Sequence, residues 1–258
     1  MIDSFFIAAT GMHAQQKQID SVSNNLANLN THSYKKSHVA FESLMATQLE
    51  KSFHAPYVRE GTVKGVGVSA VKQNTDFSAG EMIQTGRALD VAINGEGFFE
   101  VQLPDGSYAY TRNGHFEVNS EGVLVTSGGA MVSPGTEIPF DATDVVIGGD
   151  GAVQVKYANA QEFVQVGSLE IARFENESTL VPIGSSMYLK TEQSGDPVFS
   201  RPDEFGAGKV RQGYLESSNV EMVEEITTMM VAQRAYQANS RVLQMSDQVL
   251  EIINNLKS

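Results

Sequence analysis

Residues 231–256 read VAQRAYQANSRVLQMSDQVLEIINNL, a stretch with neither Gly nor Pro. Val231, Ala235, Ala238, Val242, Met245, Val249, Ile252 and Leu256 follow one another in 4-3-4-3 steps. Met229, Tyr236, Leu243 and Leu250 make a second row that advances by seven. A 3.5-residue apolar period is the pattern of an α-helix that offers a seam to another helix. Two adjacent seams form a face too wide for one two-stranded contact, so this helix needs more than one neighbour. Just upstream, Ser218-Asn219-Val220-Glu221 reads as a capping box, with Ser218 as N-cap and Glu221 reaching back to it.

The other end of the chain carries a matching signal. Phe5, Met12, Ile19 and Leu26 are spaced by seven, and Ala8, Gln15, Val22 and Leu29 fall three residues later each time. Asp3 or Ser4 can cap the start. A helix from Ser4 to Asn28 would be a rod of about 37 Å. Its end is unusual: Asn24, Asn25, Asn28 and Asn30 crowd into one short stretch. Asn inside a helix costs ~0.5 kcal/mol or more relative to Ala. Composition alone favours reading these as a fraying end with loop caps. Gln233, Arg234 and Asn239 beside Ala235, Tyr236 and Ala238 likewise read, on composition alone, as the polar flank of an amphipathic helix.

Between these ends the chain changes character. All seven Pro lie between Pro56 and Pro202, and every Gly except Gly11 lies between Gly61 and Gly213. The formal net charge is -13. Residues 1–36 hold three Lys against two Asp, and residues 217–258 carry three basic against five acidic groups, so almost all of the negative charge sits in the middle. Short β-type runs recur there: 90–93, 98–103, 108–112, 115–119, 123–126, 145–147, 153–157, 164–166 and 169–174. Turn signals separate them at Pro104-Asp105-Gly106, Ser120-Glu121-Gly122 and Gly148-Gly149-Asp150-Gly151, and Asn113-Gly114 reads as a two-residue hairpin turn. Phe41–Leu49 reads as helix-competent, and 54–67 as extended or irregular. The expected class is α+β: paired, coiled-coil-like N- and C-terminal helices joined to a central all-β domain, an antiparallel sheet or open barrel. The expected segments are an N-terminal helix in 1–34, an irregular connection over 35–74, the β domain over 75–215 and a C-terminal helix over 216–258 that pairs with 1–34.

Composition excludes several functions. Zero Cys removes disulfides, thiolate zinc sites and Cys nucleophiles. The acidity argues against binding nucleic acid or an anionic membrane surface. No apolar run is long enough to span a bilayer, and the start, with Asp3 and no basic residue before it, does not read as a cleavable secretory signal. Export would need another route. The five His lack metal-ligand spacing, Gly95-Glu96-Gly97 lacks the third glycine of a dinucleotide loop, and no Ser sits in a nucleophile elbow. No enzyme, metal or cofactor is expected.

Ser23 to Thr31 and Gln233 to Asn239, each beside a heptad seam at opposite ends, resemble the signatures of the bacterial flagellar axial proteins of rod and hook. Gly11, Tyr34-Lys35, Asp90 to Phe99, Tyr108 to Gly114 and Ser218-Asn219-Val220 resemble the family as well, so the likeness spans nearly the whole chain. It departs at His32-Ser33, where the family commonly has a small turn pair such as Asn-Gly or Pro-Gly, and in the composition of 47–67.

The resemblance implies a subunit of the distal rod. Copies would polymerise into a hollow helical tube, with paired terminal helices inside and the β domain outside. The stretch 47–67 is linked in this family to a straight rod rather than a bendable hook. Implied partners are other copies, proximal rod and hook proteins, the outer rings as a bushing and the export apparatus, with no nucleic acid and no membrane insertion. The residues expected at subunit packing are Phe5, Met12, Ile19, Val22, Asn24, Asn25, Leu26 and Asn28 at one end. At the other they are Val231, Gln233, Arg234, Ala235, Tyr236, Ala238, Asn239, Val242, Leu243, Met245, Val249, Leu250, Ile252 and Leu256. A proximal rod or hook subunit, or an adhesin with a helical stalk, are the rival readings.

Overall fold

The structure is a computed structural model that describes residues 2–46, 64–158 and 162–256. It separates into two compact units. One comprises residues 1–27, 37–75 and 221–258; the other comprises 28–36 and 76–220.

The first unit holds helix α1 (Ile2–Ala27), strands β1 (Ser37–Ala46) and β2 (Lys64–Thr75), and helix α2 (Met222–Leu256). α1 packs against α2 and against both strands. β1 and β2 pair antiparallel from Ser37 opposite Thr75 to Ala46 opposite Lys64, with two register shifts that add twist. The helix expected from Phe41 is therefore a strand as far as Ala46. The alternating Gly65-Val66-Gly67-Val68 of β2 supplies a partner that a local reading of Phe41–Leu49 cannot see. Residues 47–63, and with them most of the 47–67 stretch, lie outside the described residues. α1 stops at Ala27, where Asn28 and Thr31 bond each other in place of helix continuation: the Thr31 hydroxyl donates to Asn28 Oδ1 at 3.1 Å.

The start of α2 also differs from the expected cap. The first residue of the helix is Met222, and the Glu225 amide donates to the Glu221 carbonyl at 3.0 Å. Ser218 Oγ accepts from the Val220 amide, at 3.3 Å. Asn219 explains the delay. Its side chain accepts from the Lys36 amide at 2.7 Å and donates to the Asp76 carbonyl at 2.8 Å, which holds 218–220 extended.

The second unit is β, with antiparallel pairing throughout the described strands. In chain order these are β3 (Met82–Gln84), β4 (Val91–Asn94), β5 (Phe99–Gln102), β6 (Tyr108–Thr111), β7 (Phe116–Val118), β8 (Leu124–Thr126) and β9 (Met131–Val132). They continue as β10 (Ala142–Ile147), β11 (Ala152–Tyr157), β12 (Phe163–Ser168), β13 (Ile171–Arg173), β14 (Val181–Gly184), β15 (Met187–Leu189), β16 (Val198–Ser200), β17 (Lys209–Gln212) and β18 (Tyr214–Glu216). The largest sheet has the order β14-β15-β6-β5-β9-β8-β7. A three-stranded sheet β10-β11-β12 and the pairs β13-β16, β17-β4 and β18-β3 complete the unit.

The core of this unit is filled from alternate strand positions, among them Val91, Ile93, Phe99, Val101, Phe116, Leu124, Val153, Val155 and Ile171. Phe99 and Phe116 meet edge to face at 5.2 Å. The turns at 104–106, 120–122 and 148–151 lie where the sequence places them. Asn113-Gly114 does not form a hairpin. β6 pairs with β5 and β15, and β7 with β8. Gly114 instead lets the chain pass against β4, its carbonyl accepting from the Val91 amide at 3.0 Å. A Cβ at 114 would collide with the Val91 carbonyl oxygen.

Candidate functional site

The two terminal helices are adjacent in the first unit, and two contacts set their register. Asn25 Nδ2 donates to Glu225 Oε2 at 3.2 Å. Gly11 faces Asn239, whose Nδ2 would lie 2.7 Å from a Cβ at position 11. The two contacts are fourteen residues apart on each helix, with the numbers running in opposite senses, so α1 and α2 are antiparallel. Small residues are prominent among the buried positions of these helices: Ala8 and Ala14 of α1 and Ala232 of α2 are buried, with Ser21, Val22 and Glu225.

Asn25 does more than join the helices. Its Oδ1 accepts from the Ser37 amide at 3.0 Å, and its Nδ2 donates to the Ser37 carbonyl at 2.9 Å. One side chain therefore fixes the first residue of β1 to α1 and α1 to α2. A buried amide with both ends used specifies a single arrangement, because any slip leaves polar atoms unpaired.

The expected packing residues divide into two sets. Val22 and Asn25 are buried between elements of the unit, and Met12, Ile19, Leu26, Ala235, Asn239 and Leu243 are half-buried. Asn28 is also half-buried, in the turn after α1, within the other unit. The remaining described positions face solvent in the single chain: Phe5, Asn24, Val231, Gln233, Arg234, Tyr236, Ala238, Val242, Met245, Val249 and Ile252. The side chains of Leu250 and Leu256 lie outside the described residues. Val231 is 63% exposed, Met245 56% and Ile252 58%. Phe6 and Ile7 extend the apolar surface at the start of α1, and Met230, Ile226 and Val223 at the start of α2.

The seam that the sequence marks most strongly is thus largely turned outward. The inner contact runs instead along Glu225, Ala232 and Asn239, also spaced by seven but small or polar. Sequence reasoning missed Glu225 and Ala232 because a hydrophobic-row search passes over a carboxylate and an alanine. The available signal was their heptad spacing with Asn239.

Among the described residues, no group of three His, Asp or Glu side chains is placed to hold a metal ion, and no helix is long and apolar enough to cross a membrane. What the helices offer is a set of exposed apolar side chains on a pair whose internal register is fixed.

Three family models match the chain. Residues 6–35 match the model described as flagella basal body rod protein, 92–155 the flagellar hook protein FlgE/F/G D1 domain, and 211–256 the flagellar basal body rod FlgEFG protein C-terminal region. The flagellar basal-body rod protein FlgG of Agrobacterium fabrum is 43% identical, with 97% of this chain and 98% of that protein aligned. The FlgG of Caulobacter vibrioides is 40% identical over 97% of this chain and 98% of its own length. The flagellar basal-body rod protein FlgF of the same organism is 33% identical, over 94% of this chain and 93% of its own.

Proposed function

The chain belongs to the flagellar basal-body rod protein family, and from that premise we propose that it is a structural subunit of the distal rod, one of many copies in a hollow helical shaft that carries torque from motor to hook. Its work is mechanical and not enzymatic, and its place is the basal body. The contrast within Caulobacter vibrioides, 40% identity to FlgG against 33% to FlgF, favours the FlgG type over another rod subunit.

One observation carries the mechanism: Val231, Val242, Met245, Val249 and Ile252 form an apolar row left exposed on a helix already paired with α1. Water contact along such a row is unfavourable by about 25 cal/mol per Å². A second copy relieves it. Head-to-tail contacts that do not close into a ring continue as a helix, the geometry of a shaft. In this reading α1 and α2 act as a coiled-coil-like pair, the two-heptad spacing of its register contacts being the supporting feature, and they pack in the interior of the tube. The acidic β unit faces outward toward the outer rings, which serve as a bushing. Proximal rod and hook proteins are the axial neighbours, and the export apparatus delivers the chain.

The test is the double variant Val231→Glu/Met245→Glu. Both side chains already meet solvent, so the isolated chain should keep its helix content by circular dichroism. Motility in soft agar should be lost, because each charge would be buried at a copy-to-copy contact. Normal swimming by this variant would remove the outward row from the mechanism.

A further inference from the structure

Three charged side chains lie buried together in the β unit, and none belongs to the helix surface described above. Glu216 ends β18, Arg112 follows β6, and Lys35 lies in the segment 28–36; their side chains are 1%, 2% and 0% exposed. Glu216 Oε1 accepts from Lys35 Nζ at 2.5 Å and from the Gly80 amide at 2.9 Å, and Oε2 accepts from Arg112 Nε at 2.9 Å. Arg112 spends its other nitrogens on backbone: Nη1 donates to the Gly97 carbonyl at 3.1 Å and Nη2 to the Gly95 carbonyl at 2.8 Å. Lys35 Nζ also donates to the Ser78 carbonyl at 2.7 Å. Burial opposes charge on Glu216, but Arg112 and Lys35 overcome that cost and hold its carboxyl below the ordinary carboxylate value. Burial lowers the Lys35 ammonium pKa, with Glu216 opposing.

Ser33 adds a fourth contact. Its amide donates to the Glu216 carbonyl at 2.8 Å and its hydroxyl to the Arg112 carbonyl at 2.9 Å. It is fully buried, with a left-handed φ of 55°. A non-glycine residue there is strained, and its two hydrogen bonds hold it in that conformation. Next to this cluster, Asn219 binds the Lys36 amide and the Asp76 carbonyl, and the Ser217 amide donates to the Glu81 carbonyl at 2.8 Å. The stretches 33–36, 76–81 and 216–219 are therefore laced to one another. They are the stretches of this unit next to the chain's passages at 36–37, 75–76 and 220–221.

We propose that Glu216 is a positioning residue: with Lys35 and Arg112 it locks these three stretches into one root and ties that root to the Gly95–Gly97 turn. The lock is local. It joins Lys35 to Glu216, 181 residues apart in sequence, and its side chains stand outside the apolar cluster of Val91, Phe99 and Val101, with Arg112 lying over the Phe98 ring at 5.8 Å. Within the rod reading, force entering by any one stretch is shared by all three. That consequence rests on the proposed function, whereas the lock is a property of the single chain.

The test is site-resolved hydrogen exchange on the full-length chain in wild type, Glu216→Gln, Lys35→Met and the double variant. Glu216→Gln should speed exchange of the Ser33 and Gly80 amides about tenfold or more, while the Val101 and Ala109 amides in β5 and β6 keep their rates. Lys35→Met should give a smaller local increase, and the double variant should exchange no faster than Glu216→Gln, because the two residues act through one contact. Unchanged exchange at Ser33 and Gly80 would overturn the proposal. So would equal loss of protection in β5 and β6, which would make the triad part of the sheet's folding, or effects of the two substitutions that simply add. None of these readings depends on whether the chain builds a rod.

Discussion

Glu216 shows how one side chain can depend on groups far away in sequence. Its folded carboxyl lies below the ordinary value of 4.5, so its stabilising contribution is full above that value and is lost as pH falls through the lower, folded value. Urea unfolding of the wild type, followed in the β unit from about pH 6 to about pH 3, should show a fall in stability that Glu216→Gln lacks. Glu216→Leu should cost about 3–5 kcal/mol at neutral pH, since it leaves two buried cations uncompensated. Nothing local in the sequence marks these charges as buried. Tyr34-Lys35 and the Arg112 of Tyr108 to Gly114 were visible only as pieces of a family pattern. Ser33 is the instructive departure from that pattern. The left-handed backbone is the one a Gly would take without strain, and Ser holds it with a hydroxyl bonded to the Arg112 carbonyl.

At the level of elements, the terminal helices were legible because an apolar period of 3.5, sustained over several heptads, fits a helix and does not fit a strand. Their inner and outer faces were not. The apolar rows mark what needs burial somewhere, and in the single chain Ala232 and Asn239 of α2 turn inward while its Val231, Val242 and Met245 stay outside. Asn25 belongs to the inner contact. Asn25→Ala removes its bonds to Ser37 and leaves the buried Glu225 without that partner, a loss of about 1–3 kcal/mol confined to the helix unit. Assembly should be impaired while near-UV signals of the β unit persist. The β unit was legible wherever a turn was local, as at 104–106. It was misread at Asn113-Gly114, where the glycine serves close approach to β4 and not a hairpin. Gly114→Ala should therefore prevent stable folding of the β unit, since the Val91 oxygen is backbone and cannot step aside. Soluble expression and a cooperative melt at wild-type temperature would contradict that account. The strands from β14 onward went unread; beyond the local β14–β15 pair their partners, such as β6 for β15 and β4 for β17, are remote in sequence.

The whole molecule divides its tasks by composition. Weakly charged ends carry the apolar rows, and a punctuated acidic middle carries nearly all of the net charge of -13. A polymer that packs the former together and keeps the latter outward meets both demands at once, since like-charged surfaces resist collapse while apolar rows need contact. The most direct measurement is electron microscopy of basal bodies purified from a strain deleted for this gene. In that strain the rod should stop short, with no hook above it, and be restored by the wild-type gene and not by Val231→Glu/Met245→Glu. A complete rod bearing hook and filament in the deletion strain would contradict the distal-rod function.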